Sequence, residues 1–243
     1  MLATTVFVDD RVALAGRASI VTAATASSAS AGSLWSEQTW SVALFGHFNP
    51  WITTASWLER YEAITDAEAR LAVSNVDVSG AAISVGDLSL EVSLERFLIQ
   101  SSGDAQRHRL VEIAAQVFSV LGHSPVGSVA MGFDGELLAD ASGVISHLVA
   151  EPLPDVVSTT EARSITFRLA GMSGSGAAAH LTVEDSDEQP GGVYVSLVDE
   201  VDLADDDEDG HTAERAVMEL TERWPRFTAR TREVLNEMIQ DLA

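Results

Sequence analysis

The chain of 243 residues contains no cysteine and no lysine. Without cysteine there is no thiolate nucleophile, no disulfide, no iron–sulfur cluster and no Cys-ligated zinc. Without lysine there is no P-loop lysine, no protein-kinase phosphate lysine and no Schiff base for pyridoxal phosphate. What remains is hydroxyl, carboxylate, imidazole or guanidinium chemistry, or binding without chemistry. Positive charge is scarce as well. The 14 basic residues, all arginine, face 37 acidic ones, for a net charge of -23. Repulsion at that charge argues against direct contact with a nucleic-acid backbone. It leaves plain solubility, a salt-rich cytoplasm, or imitation of a nucleic acid. A GC-rich coding bias turns lysine codons into arginine and points to a high-GC bacterium or its virus; selection against lysine-directed degradation is the alternative.

Long apolar runs are missing too. No stretch approaches ~20 apolar residues, so no transmembrane helix and no membrane partner are expected. The start, Met1-Leu2-Ala3-Thr4-Thr5, soon reaches Asp9, Asp10 and Arg11. It lacks the basic-then-apolar order of a secretory signal, and a cytoplasmic location is expected.

What is present is an ordinary globular composition, 46% hydrophobic with a mean hydropathy of +0.13, long enough to bury a sizeable core. Thr4–Val8 and Arg17–Ala24 read as short strands, and the small, polar run 24–33 as a loop. Gln38–Phe45 reads as a strand ended by Asn49-Pro50. Trp57, Leu58, Tyr61 and Ile64 recur at helical spacing, and Thr65 with Glu68 predicts a capping box that starts a second short helix. Short strands are expected near Leu71–Val76 and Ala81–Val85. Leu90–Ile99 reads as one longer strand, because Leu90, Val92 and Leu94 alternate with Glu91, Ser93 and Glu95. Leu110, Ile113, Ala114, Val117 and Leu121 form the stripe of an amphipathic helix, with Asp104 as its expected cap and Gly122 at a left-handed C-terminal position. A strand with Val129, Met131 and Phe133 on one face follows.

After a connector at Glu151–Pro154, Ile165/Phe167/Leu169, Leu181/Val183 and Val193/Val195/Leu197 predict three antiparallel strands with one wet face. An acidic run follows the last of these strands, from Asp199 to Asp209. Thr212 caps a helix to about Arg223, and Pro225 either begins a new helix or kinks a long one. The fold expected is α+β: antiparallel sheets with a central amphipathic helix and C-terminal helices. A boundary near residue 150 divides it into an α+β lobe, 1–150, and a meander plus helices, 151–243, unless both form one continuous domain.

Few constellations carry chemistry. Asp205, Asp207, Asp209 and Gly210 match the first half of a calcium loop, but Ala216 stands where the bidentate glutamate belongs. Calcium is thus the one cofactor the sequence suggests, against a solvated acidic loop. Gly171–Gly176 approaches a nucleophile-elbow pattern with Ser175 in place of its last glycine, and reads as a hairpin loop. The six histidines show no zinc spacing. The wet meander face collects Arg168, His180, Thr182, Glu184 and Tyr194, a polar patch suited to binding an anion or a partner, or to acid–base work. Of the clustered Trp35, Trp40, Trp51 and Trp57, core packing explains most, and Trp51 is the one expected at the surface.

The segments LEVSLERFLIQSS (90–102), the helix after it, GSVAMGF (127–133) and ERWPRFTARTREVLNEMI (222–239) resemble, in this order, a sporadically distributed, uncharacterised bacterial protein family. The likeness spans about two thirds of the chain. The family's usual Arg-Tyr-Asn is absent from the GSVAMGF strand. The resemblance implies the element order and a gene that travels with mobile elements, and no activity or site.

These readings converge on a non-enzymatic, acidic protein-interaction module or adaptor. Arg168, His180, Glu184 and Tyr194, or Trp51, would meet a protein partner, one with basic charge if the acidic run steers it. The alternatives are an acidic mimic of nucleic acid or a viral accessory or structural subunit, with self-association into a homo-oligomer, and an enzyme built on the polar sheet face.

Overall fold

Among the described residues, alternating apolar and polar side chains organise nine strands. The computed structural model describes residues 35–138, 144, 164–170, 172, 178–203 and 212–240. The strands are β1 (Trp35–Gly46), β2 (Val73–Val76), β3 (Ala81–Val85), β4 (Leu88–Val92), β5 (Arg96–Ser102), β6 (Val126–Leu137), β7 (Ser164–Ala170), β8 (Ala178–Asp185) and β9 (Val193–Asp202). All pair antiparallel in a single sheet of order β2-β3-β4-β5-β1-β6-β9-β8-β7. The architecture is α+β. The strands on either side of residue 150 belong to the same sheet, joined through β6 and β9.

Among the described residues the α-helices are α1 (Ala55–Arg60), α2 (Asp66–Leu71), α3 (Arg107–Val120) and α4 (Ala213–Gln240). Thr54 caps α1 by accepting from the Trp57 N–H at 3.2 Å. Thr65 and Glu68 form the expected reciprocal capping box on α2. Helix α3 packs on β1 and β5, and α4 on α3 and β6. Among the described residues, no helix is long and apolar enough to cross a membrane.

The core lies between this helical layer and one face of the sheet. Trp40 is its centre, edge-on to Phe133 (4.9 Å between ring centroids), Trp224 (6.1 Å) and Phe227 (6.3 Å). Val42, Leu44, Phe97, Ile99, Val129, Met131, Val195 and Leu197 share this face and are buried. Leu110, Ile113, Ala114 and Val117 of the α3 stripe cover it.

Four local expectations are corrected. Leu90–Ile99 is not one strand but a hairpin. Ser93 closes the turn, its N–H donating to Arg96 O at 2.8 Å and its Oγ accepting the Arg96 N–H at 3.0 Å, so that Leu90 pairs with Ile99 and Leu94 is exposed. A serine hydroxyl that bonds the backbone two or three residues on competes with strand continuation. Asp104 does not cap α3, whose first flanking residue is Gln106; its carboxylate accepts instead from Arg107 and Arg232 and ties α3 to α4. Gly122 is not left-handed, a conformation found at Gly86, Gly103 and Gly191. The acidic run does not follow the last strand but begins within it: Asp199 to Asp202 belong to β9, and Asp199 is fully buried on the helix side between Met131 and Ala179.

Pro225 neither ends nor restarts a helix, since α4 runs through it. A proline inside a helix costs about 3 kcal/mol. Burial of Leu220, Trp224 and Phe227 on either side of it offsets that cost. The predicted strands at 4–8 and 17–24, the loop at 24–33 and the connector at 151–154 lie outside the described residues.

Candidate interaction surface

The second face of the sheet carries the other half of each alternating pattern. Strand register sets its rows. One row runs Arg168–His180–Val198–Gly132–Ser41–Gln100–Ser89 from β7 to β4. The next rows on one side run Thr166–Thr182–Ser196–Asp134–Thr39 and then Ser164–Glu184–Tyr194–Glu136–Glu37. On the other side lies Glu200–Ala130–Ala43–Leu98–Glu91.

That last row holds a second apolar cluster, separate from the main core. Ala43, Leu98 and Ala130 are its buried members, and half-buried Phe45 and Val198 pack against them. A carboxylate closes each end of the row. Glu200 accepts from Ser128 Oγ at 3.0 Å, and Glu91 pairs with Arg96 at 3.3 Å. By register the face also bears Glu37, Asp134, Glu136, Glu184 and Asp202, against Arg96 and Arg168 as its arginines. Its balance is acidic. An apolar centre inside a charged rim is the anatomy of a protein-binding surface. Gly132 keeps the middle of the face low: a β-carbon there would stand 2.2 Å from Ser41 Oγ.

The register brings the sequence-identified patch together only in pairs. Arg168 sits directly across from His180, and Glu184 directly across from Tyr194. The threonine row separates the pairs, with Thr166 and Thr182 hydroxyls bonded at 3.1 Å. Tyr194 turns away from an acid–base role with Glu184: its hydroxyl donates to Asp134 Oδ1 at 2.6 Å. Burial pushes the Asp134 carboxyl above the usual carboxylate range, although hydrogen bonds from Tyr194 and Ser196 pull the other way. Burial, with the Asp134 carboxylate beside it, raises the tyrosine further above its ordinary value. Trp51 is exposed, as expected, on the single turn Pro50–Ile52, where Asn49 Oδ1 accepts its N–H at 3.1 Å. It belongs to the loop after β1 and not to the sheet face.

Asp134, Glu136 and the Phe45/Val198 cluster were not singled out in the sequence. The signal was present in β6, where Ala130, Gly132, Asp134 and Glu136 alternate with Val129, Met131 and Phe133. Only the pairing with β1 and β9 shows what they stand beside. Asp205, Asp207 and Asp209 lie outside the described residues, and among the described residues no group of acidic or histidine side chains is arranged to hold a metal ion. No protein-family model matches the chain, and no curated protein is similar to it.

Proposed function

We propose that the protein is an acidic, non-enzymatic interaction module that docks a basic protein partner on the open face of its sheet. The observation that carries this reading is the Ala43/Leu98/Ala130 cluster, with Phe45 and Val198 accessible at its edge and Glu91 and Glu200 at its ends. The accessible apolar area of half-buried Phe45 and Val198 supplies affinity, and the carboxylate rim supplies orientation and encounter rate. The net charge of -23 favours a cationic partner over any nucleic acid. Arg168, His180, Glu184 and Tyr194 then act as polar rim contacts. The resemblance to an uncharacterised bacterial family agrees with an adaptor encoded on a mobile element, in a high-GC bacterium or its virus.

The test is capture of partners from a high-GC bacterial lysate by the full chain and by Val198→Arg, washed at about 0.1 M and about 1 M salt, where the screening length falls from about 10 Å to about 3 Å. A stoichiometric partner that is lost with Val198→Arg and weakened by salt supports the reading. A partner held equally by Val198→Arg removes the sheet face from it. If the captured partner is itself a nucleic-acid-binding protein that DNA displaces, the mimic reading takes its place.

A further inference from the structure

A different part of the sheet carries an inference that does not rest on the open face. Nine large apolar side chains are exposed among the described residues, and four of them fall within eight positions: Leu71 (78%), Val73 (73%), Val76 (40%) and Val78 (92%). They flank and occupy β2, the end strand of the sheet among the described residues, every residue of which is exposed. Edge strands are ordinarily blunted by short length, lysine, proline, a bulge or an inward charge; β2 is short, four residues, and has none of the other devices. Positions 71–76 (Leu-Ala-Val-Ser-Asn-Val) hold neither proline nor charge, and the register with β3 is regular.

The backbone of the edge is set up to pair. The Asp77 N–H donates to Gly80 O at 2.9 Å, so Asp77 faces β3. Antiparallel alternation then turns Asn75 and Val73 toward β3, and Ser74 and Val76 outward. Val73 stands across from Ser84, on the open face, and Val76 across from buried Ala81, on the helix face. A strand laid beside β2 would therefore meet one valine on each face, at positions three apart.

The charges choose the occupant. From Leu71 through Glu95 the ionisable side chains are Asp77, Asp87, Glu91 and Glu95, of which Glu91 is compensated by Arg96 and the other three pair with no arginine among the described residues. The arginines at either end are engaged, Arg70 with Asp66 and Arg96 with Glu91. Ser79 and the Gly80 N–H hold the Asp77 carboxylate below its usual range, so it is charged at neutral pH. A second copy would set the same carboxylates against these, on a body with the same charge of -23. We propose that the outer edge of β2 is a strand-addition site for an extended, cationic segment of another protein, with two apolar residues three positions apart.

The probe is the fluorescein-labelled peptide Arg-Val-Thr-Thr-Val-Arg, titrated with the full chain at physiological ionic strength and followed by anisotropy. Ser74→Pro removes an outward N–H and leaves the β2–β3 bonds in place. Val78→Arg sets a positive charge at a side chain that is 92% exposed. Saturable binding is expected, weakened about tenfold by Ser74→Pro, the scale of one or two backbone hydrogen bonds, and weakened also by Val78→Arg, with both variants melting as the parent does. The proposal is overturned if the parent does not bind, if both variants bind as tightly as the parent, or if a peptide with glutamate in place of arginine binds as tightly. It is overturned too if sedimentation shows a parent dimer that Ser74→Pro dissociates, which would make the occupant a second copy.

Discussion

Protonating Glu68 should loosen the contact between α2 and α3. Its carboxylate accepts from the Thr65 N–H at 2.8 Å and the Thr65 hydroxyl at 2.9 Å, and from the two terminal nitrogens of the Arg109 guanidinium, Nη1 and, at 3.2 Å, Nη2. The Arg109 hydrogen bonds above all, with those from Thr65, hold the carboxyl down at about 2, from 4.5. A folded-state value below the unfolded one means stability present above pH ~4.5 and lost as pH falls toward ~2. At 1.36 kcal/mol per unit, the full difference would be about 3.4 kcal/mol. Both side chains retain roughly a quarter of their exposure (22% and 24%), and solvent screening reduces the expected effect to about 1–2 kcal/mol. Glu68→Gln should therefore cost about 1–2 kcal/mol in urea unfolding at pH 7. The gap between parent and variant should close as pH approaches 2. A gap that stays constant from pH 7 to 2 would refute the reasoning, because the charge of Glu68 would then contribute nothing.

Asp134→Asn keeps an acceptor for the Tyr194 hydroxyl and removes a carboxylate that burial disfavours; it should raise stability at pH 7, with the advantage fading as pH falls to the ordinary carboxylate range, as read by thermal melts against pH. Phe227→Ala opens a cavity beside Trp40 and Trp224 and should cost about 3–5 kcal/mol in chemical denaturation. Gly46→Ala places a β-carbon 2.0 Å from the Pro125 carbonyl oxygen, a backbone atom that cannot rotate away, and should lower stability by about 1–3 kcal/mol. Pro225→Ala restores a helix hydrogen bond at an exposed position and should raise the melting temperature by about 2–4 °C for each kcal/mol gained, up to about 3 kcal/mol; an unchanged Tm would show that α4 is relaxed around the proline.

Period and capping chemistry were legible in the sequence because they are local. The alternation Val129/Met131/Phe133 and Val193/Val195/Leu197, the stripe Leu110/Ile113/Ala114/Val117 and the Thr65/Glu68 box each depend on neighbours within a few residues. Alternation also placed Arg168, His180, Glu184 and Tyr194 on one face, and Trp51 was the tryptophan expected outside. The absence of cysteine and lysine and the net charge of -23 bounded the chemistry by composition alone. The hairpin at Ser93 escaped because a period of two cannot distinguish a straight strand from two strands folded on each other. The sequence left open whether Pro225 starts a new helix or lies within a long one, because the penalty at Pro225 is local, whereas the burial of Trp224 and Phe227 that outweighs it comes from β1 and β6. Asp199 read as the start of an acidic run after the strand, and only its neighbours on β6 and β8 put it inside. Pairing across the sheet likewise decided what became a surface. Ala43, Leu98 and Ala130 lie far apart in the chain and form one apolar cluster between Glu91 and Glu200 because β5, β1 and β6 lie side by side. Composition and periodicity determined which residues seek the interior and which seek water; strand order, set by the packing of the whole chain, determined which of them meet.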